Sequence, residues 1–321
     1  MRHRRNAGLL IATSVVLLAT PQLAASADEP VYEGRTLTSW LEDFAVGRFP
    51  DMDKHRAAED AIRQIGVDAL PLLIERLTIT SPASQKLIKR VQMLEAQGEL
   101  EQASVAEAES LGEDIQTVSA FRALGADAHP AIPTLIELVT PAYDAATAIF
   151  SGPAERLKDD KSTAAAEALA AIGPAAIPPL IKALNEGGVS TRFAAALALR
   201  YFANEDRTIV PALLDAFGDR NPDVRQWAIR SIGSIRRLPD LSVPALVERL
   251  HNDPDNNVRC AVLIALGWFG RNAESAVPDI IEATTDPSPS IQGYARRALE
   301  RIRKSTDTER KGTPAGDAQG D

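Results

Sequence analysis

The feature that most constrains this chain is a five-residue pattern, aliphatic-Pro-x-aliphatic-aliphatic, that occurs six times. The copies are Leu70-Pro71-Leu72-Leu73-Ile74, Ile132-Pro133-Thr134-Leu135-Ile136 and Ile177-Pro178-Pro179-Leu180-Ile181, then Val210-Pro211-Ala212-Leu213-Leu214, Val243-Pro244-Ala245-Leu246-Val247 and Val277-Pro278-Asp279-Ile280-Ile281. From Pro178 the prolines step by 33, 33 and 34 residues, whereas the two earlier steps are 62 and 45. A fixed period of this length marks an array of small units. Each is too small to bury its own apolar face, so it stacks on its neighbours.

The pattern itself is a helix opening. Proline is tolerated in a first helical turn, where its missing N–H would have no partner, and the aliphatics that follow recur at helical spacing, as in Leu180, Ile181 and Leu184. An earlier helix of each unit carries a small-aliphatic pair: Ala61-Ile62, Ala123-Leu124, Ala168-Leu169, Ala198-Leu199, Ser231-Ile232 and Ala265-Leu266. Small residues there let two helices approach closely. The pair lies 10 residues before the proline in the first three units and 13 before it in the last three, which predicts a longer turn in the later units. The chain is 45% hydrophobic and only 5% aromatic, and its abundant Ala and Leu favour helix.

A third element recurs near the start of each first helix. Glu186 precedes Arg192, Asp219 precedes Arg225, and Asp253 precedes Arg259, each by six residues; Asp286 stands six before Gln292. The expectation is that Asp219–Arg225, Asp253–Arg259 and Glu186–Arg192 pair across unit boundaries and form a ladder. Pro222, Pro254 and Pro287 mark the same turns.

The run Asp219-Arg220-Asn221-Pro222-Asp223-Val224-Arg225, then Ser231-Ile232-Gly233, then Val243-Pro244-Ala245-Leu246, resembles a HEAT repeat, specifically the short HEAT-like class first noted in phycobilisome lyases. The resemblance covers residues 50–303 and is strongest from 160 onward. Tetratricopeptide and ankyrin signatures are missing. The resemblance implies an all-α fold, a right-handed α-solenoid of stacked HEAT-type helix pairs (an α-α superhelix) with no sheet. Tyr32-Glu33-Gly34-Arg35-Thr36-Leu37-Thr38-Ser39-Trp40-Leu41 resembles a lead-in found before HEAT arrays in some exported bacterial proteins. Within it Leu37, Trp40, Leu41 and Phe44 share one helical face, and Thr36 or Thr38 can cap the helix. Residues 28–49 are therefore read as a segment that covers the open end of the first unit.

The ends and interruptions complete the organisation. Arg2, His3, Arg4 and Arg5, the apolar run 8–20 and Ala25-Ser26-Ala27 have the form of a signal peptide over residues 1–27. The expectation is export to the periplasm or the exterior, cleavage after Ala27, and no membrane insertion afterwards; an uncleaved anchor is the alternative. Two insertions interrupt the array. Residues 81–112 are polar and helix-prone, with Leu87, Val91 and Leu94 as a narrow stripe, and 141–160 read as a loop with a short helix. Either could carry recognition, or simply lengthen a helical hairpin. Residues 304–321 contain scarcely an aliphatic side chain and read as a disordered tail. The single cysteine, Cys260, sits among Val258, Ala261 and Val262 and reads as a small core residue.

For function, the composition and motifs exclude more than they identify. A net charge of -9 argues against nucleic-acid binding. His55, His129 and His251 are scattered over different units, with no second ligand at metal spacing. Iron-binding HEAT enzymes depend on repeated His-Glu pairs, which this chain lacks, and no nucleotide-binding or hydrolase motif occurs. No cofactor, metal or catalytic constellation is implied. Four residues past the repeat prolines stand Glu75, Glu137, Lys182, Asp215, Glu248 and Glu282. In HEAT arrays the second helices line the concave face, so these acids could form a strip that receives a basic protein or peptide. They could equally be first-turn acids that favour the helix dipole. Two function classes stand: a monomeric, non-catalytic scaffold that binds protein along its concave face, and a regulatory or assembly subunit, lyase-like or chaperone-like, of a periplasmic enzyme complex.

Overall fold

The chain's computed structural model describes residues 29–44, 51–78, 82–97, 99–139 and 153–312. The expected signal segment 1–27, positions 141–152 of the second insertion and residues 313–321 lie outside the described residues.

The lead-in begins with a small hairpin, Val31–Tyr32 paired antiparallel with Arg35–Thr36. With two residues in each strand, this ribbon leaves the all-α reading intact. Glu33 and Gly34, both at positive φ (49° and 77°), make the tight turn that joins such a ribbon. Helix α1 (Leu37–Leu41) follows, capped by Thr36, whose hydroxyl accepts from the Ser39 N–H at 3.3 Å. Leu37, Trp40, Leu41 and Phe44 are all buried, as their spacing predicts. Trp40 donates its indole N–H to the Tyr32 carbonyl at 3.1 Å and lies under the Arg35 guanidinium, 3.8 Å from the ring centre. It is a structural side chain.

The array consists of helix pairs: α2 (Met52–Ile65) with α3 (Leu70–Leu77), α5 (Leu100–Leu124) with α6 (Ile132–Leu138), α7 (Pro153–Ile172) with α8 (Ile177–Glu186), α9 (Val189–Leu199) with α10 (Asp206–Asp215), α11 (Pro222–Ile235) with α12 (Pro239–Asn252), and α13 (Asn256–Phe269) with α14 (Val277–Ala283). A seventh first helix, α15 (Pro289–Gly312), ends the series, and α4 (Pro82–Ala96) is additional. The fold is thus an all-α solenoid. Three first helices, α2, α11 and α13, start on side-chain caps: Asp51, Asn221 and Asp255 each accept from the backbone N–H groups two and three residues on.

Pro71, Pro133, Pro178 and Pro278 sit in the first turns of α3, α6, α8 and α14, where they open the helix. Pro211 and Pro244 instead lie inside α10 and α12. This corrects the expectation for two of the six copies. The extra residues in those units are spent on starting the second helix earlier, which makes Pro211 the sixth of ten residues in α10 and Pro244 the sixth of fourteen in α12. In the last pair the extra residues form a 3-10 turn, Gly270–Ala276.

All twelve residues of the small-aliphatic pairs are buried, and one continuous apolar cluster runs from Leu37 to Ile302. Ser231 fits that interior because its hydroxyl donates to the Ala196 carbonyl at 2.7 Å, from α11 to α9. Gly233 permits a close approach of two first helices. A Cβ there would stand 2.8 Å from the Cα of Ala265 on α13.

The first insertion is a lengthened helical hairpin, α4 against the extended N-terminal half of α5, with Leu87, Val91 and Leu94 in a small separate cluster. The expected tail is corrected in part, because α15 continues through Gly312. Its residues 304–312 are mostly helix-compatible, and Lys304 pairs back to Glu300 at 2.7 Å. A feature with no signal in the repeat pattern is a buried ion pair. Lys161 on α7 reaches Asp114 on α5 at 2.5 Å, their side chains 4% and 2% exposed, and also donates to the Arg76 carbonyl at the end of α3 at 2.8 Å. It ties three early units together where the repeat spacing is broken.

Candidate interaction surface

The acid–arginine ladder exists, but its register differs from the expected one. Arg192 grips Asp219 with two bonds, of 2.6 and 2.9 Å. Arg225 grips Asp253 with two bonds of 2.8 Å, and Arg259 reaches Asp286 at 2.7 Å. Each arginine therefore pairs with the acid 27 or 28 residues ahead. The pairs Asp219–Arg225, Asp253–Arg259 and Glu186–Arg192 are corrected accordingly. Behind it, the arginine meets a backbone carbonyl in two units: Arg225 donates to the carbonyl of Asp219, six residues back, at 2.9 Å, and Arg192 to that of Gly187, five back, at 2.9 Å. Glu186 stands outside the ladder, exposed and 4.0 Å from Lys182.

Turn geometry explains the shift. Each ladder aspartate also accepts from the N–H two residues on, Asn221 for Asp219, Asp255 for Asp253 and Ser288 for Asp286, at 2.8 to 3.0 Å. That local turn aims the carboxylate at the arginine of the preceding unit. Gln292 keeps only half the pattern, donating to the Asp286 carbonyl at 2.8 Å. Burial alone would push the Asp219 and Asp253 carboxyls up. Hydrogen bonds from Arg192 and Arg225, with those turn N–H groups, outweigh it and hold both below the ordinary carboxylate range.

The second-helix acids are placed as a surface. Glu75, Glu137, Asp215, Glu248 and Glu282 are all exposed, as is Lys182. None lies in a first turn. Glu75 and Glu137 fall near the ends of α3 and α6, Asp215 is the last residue of α10, Glu282 is the penultimate residue of α14, and Glu248 lies in the second half of α12. Near a helix C-terminus the dipole disfavours a carboxylate. The helix-dipole explanation of these acids is therefore removed.

Two hollows open between neighbouring second helices. One, of about 410 Å³, lies between α6 and α8 and is lined by Pro133, Ile136 and Glu137 against Pro179, Lys182, Ala183 and Glu186. The other, of about 280 Å³, lies between α12 and α14, with Leu250 and His251 against Asp279, Glu282, Ala283 and Asp286. Both are lined by the residues one, four, five and eight past the repeat proline of the following unit. They are the same place in two different units, and the fourth residue, the strip position, stands on the rim of each. The first is mostly apolar. The second is polar and includes a contact across the unit boundary, His251 Nε2 to Asp279 Oδ1 at 2.8 Å.

The other singled-out residues are structural. His55 stacks edge-on against Phe44 and lies 3.5 Å from Glu59. Cys260 is buried, and burial pushes its thiol up. Among the described residues no group of three His, Cys, Asp or Glu side chains could hold a metal ion.

Comparison with known proteins agrees with this architecture. Residues 177–251 and 243–310 match HEAT repeats, and residues 163–186 match the PBS lyase HEAT-like repeat. The chain is 31% identical over 126 residues to the 26S proteasome regulatory subunit RPN2 of Eremothecium gossypii, covering 38% of this chain and 14% of that protein. It is 31% identical over 122 residues to RPN2 of Saccharomyces cerevisiae, covering 37% and 12%. The chain thus spans only a small part of these relatives. Among solved structures, Kap121p bound to RanGTP aligns with a TM-score of 0.47 at 16% identity, over 84% of this chain and 32% of that one, and a Kap121p mutant aligns with 0.47 at 14% identity, over 85% and 32%. HEAT repeats are therefore detected across residues 163–310, the region in which the Arg–Asp ladder and the second hollow lie.

Proposed function

We propose that this chain is a non-catalytic scaffold that holds a protein partner along the exposed face of its second helices, with basic side chains of the partner meeting the acid strip. The observation that carries the reading is the position of the acids. Five exposed carboxylates repeat at one structural position, where the helix dipole works against them and where equivalent hollows open between units. A partner running along that face would be held by many small contributions. The similarity to RPN2, a regulatory subunit, favours service within a larger assembly as the second reading. The chain is proposed to act as a monomer after export, on the strength of residues 1–27.

The test is a fluorescence titration with a labelled peptide of alternating Lys and Leu across a salt series. Asp215→Asn, Glu248→Gln and Glu282→Gln are combined in one variant that keeps shape and removes charge. Three exposed pairs at roughly 0.2–1 kcal/mol each should weaken binding by about threefold to more than a hundredfold and flatten its salt dependence. Unchanged affinity and slope would remove the strip from the binding face.

A further inference from the structure

The C-terminal half of the array separates charge between its two helix layers. The second helices α10, α12 and α14 carry Asp206, Asp215, Asp240, Glu248, Asp279 and Glu282 against Arg207 and Arg249. The first helices α11, α13 and α15 carry the opposite balance. Apart from the ladder arginines, and up to Thr306, they hold Arg230, Arg296, Arg297, Arg301, Arg303 and Lys304 against only Asp223 and Glu300. Glu300 is itself taken up by Lys304. In a chain of net charge -9 this layer is locally cationic.

Aromatic side chains are set among those arginines. Arg230 lies over the Trp227 ring at 5.3 Å, and Arg297 lies over the Tyr294 ring at 5.7 Å. Counted from Arg225 and Gln292, which start their helices in the same register, Trp227 and Tyr294 are both two residues on and Arg230 and Arg297 both five on. The same aromatic–guanidinium pair is thus built at equivalent points of α11 and α15. On α13, between them, Trp268 is 38% exposed. Its indole rests where Gly233 of α11 has no Cβ, since one there would lie 3.0 Å from the ring. One helix further on the arrangement repeats: Gly267 leaves room for Arg301, whose Cδ would stand 3.4 Å from a Cβ there. Each glycine seats the residue that projects from the next first helix, so Trp268 and Arg301 stand side by side at matching positions.

We propose that the first-helix face of α11, α13 and α15 is a second docking surface, which takes an acidic segment of a protein partner, its carboxylates on Arg297 and Arg301 and an apolar side chain against Trp268. Trp, Tyr and Arg are the residue types that dominate interface energetics, and a cationic face on an acidic chain selects carboxylate over ammonium. This surface lies on the helix layer opposite the acid strip and is independent of it. A scaffold with both would hold two partners of opposite charge.

The experiment titrates the full chain with a labelled peptide of alternating Glu and Leu at low salt, following peptide anisotropy and Trp emission. Saturable binding is expected. Combined Arg297→Glu and Arg301→Glu should weaken it by roughly tenfold or more, and the Gln versions of the same two should weaken it less. Trp268→Phe should reduce the emission change, leaving only what Trp227 on the same face contributes. The variant neutralised at Asp215, Glu248 and Glu282 should bind as the parent does, so failure of one surface is distinguishable from failure of the other. Absence of saturable binding, or equal binding by the charge-reversed variant, would overturn the proposal. So would equally tight binding of poly-uridylate, which would mark a general polyanion surface, or sedimentation showing that two copies join through this face.

Discussion

The sharpest test of the ladder is Arg225→Ala. Arg225 makes two 2.8 Å bonds to Asp253 and a third, of 2.9 Å, to the Asp219 carbonyl. The Arg225 side chain is 10% exposed and that of Asp253 is 0%. Truncation therefore leaves a carboxylate out of water with the Asp255 N–H as its remaining hydrogen-bond donor and the more distant charge of Arg249. Breaking a buried pair from one side costs about 3–5 kcal/mol, far more than the ~0–1 kcal/mol of an exposed pair. Arg259→Ala should cost less, because Arg259 and Asp286 are 22% and 13% exposed and share a single bond within the pair.

Urea unfolding followed by circular dichroism measures both losses. A double-mutant cycle with Asp253→Ala should give a large coupling energy, and the same cycle with Asp219→Ala a small one, because Asp219 contributes its backbone carbonyl to Arg225 and its carboxylate to Arg192. The pH dependence has a definite sign. The folded Asp253 carboxyl lies below its unfolded value of about 3.9. Its stabilisation is full above that value and is lost as pH falls through the folded one. The gap between parent and Arg225→Ala should therefore be widest near neutrality and close in acid. A loss below about 1 kcal/mol at neutral pH, or stronger coupling to Asp219 than to Asp253, would refute the assigned register.

Two further outcomes follow from other parts of the chain. Gly233→Ala should destabilise by about 1–3 kcal/mol in the same unfolding assay, because the new methyl meets the Ala265 backbone at 2.8 Å and neither helix can yield alone; no loss would mean that α11 and α13 are less closely packed than this. Intact mass of the protein recovered from its own host should begin at Asp28, and a mass that still includes residues 1–27 would end the proposal of export.

The number of units and their core were legible because they depend on local spacing. Each repeat proline falls within a second helix, in its first turn in four of the six, and each small-aliphatic pair is buried, since both follow from the same helical period. Where partners are distant in sequence, legibility fails. Counting six residues back from Arg225 finds Asp219, and counting 28 forward finds Asp253. The choice depends on the turn at Asp253, whose carboxylate is aimed by the Asp255 N–H. The Lys161–Asp114 pair had no signal at all, because its residues are 47 apart across an irregular step and neither repeats. Glu75 and Glu137 were recognised as equivalent from spacing, but their place late in short helices is set by how soon α3 and α6 end.

The ladder also shows why its last member is a glutamine. Arg192 and Arg225 each do two jobs: they satisfy a carbonyl of the turn behind them and pair with the carboxylate of the turn ahead. At α15 the first job remains, and Gln292 performs it through its amide at 2.8 Å. The second job is one that the neutral amide, with no formal charge, does not call for. An arginine there would hold a charge close against the turn without its carboxylate, at a desolvation cost that the neutral amide avoids. The upstream end has its own asymmetry: Arg192 finds the Gly187 carbonyl behind it, and Glu186 does not enter. The Arg–Asp staples therefore span Arg192 to Asp286, joining α9, α11 and α13 to the inter-unit turns that lead into α11, α13 and α15. The earlier units are joined by the buried lysine instead. In a solenoid each interface is held only by its neighbours, so the two segments should open independently, with the stapled segment the more resistant. That segment is also the one on which the cationic first-helix face and the acids at Asp215, Glu248 and Glu282 are mounted.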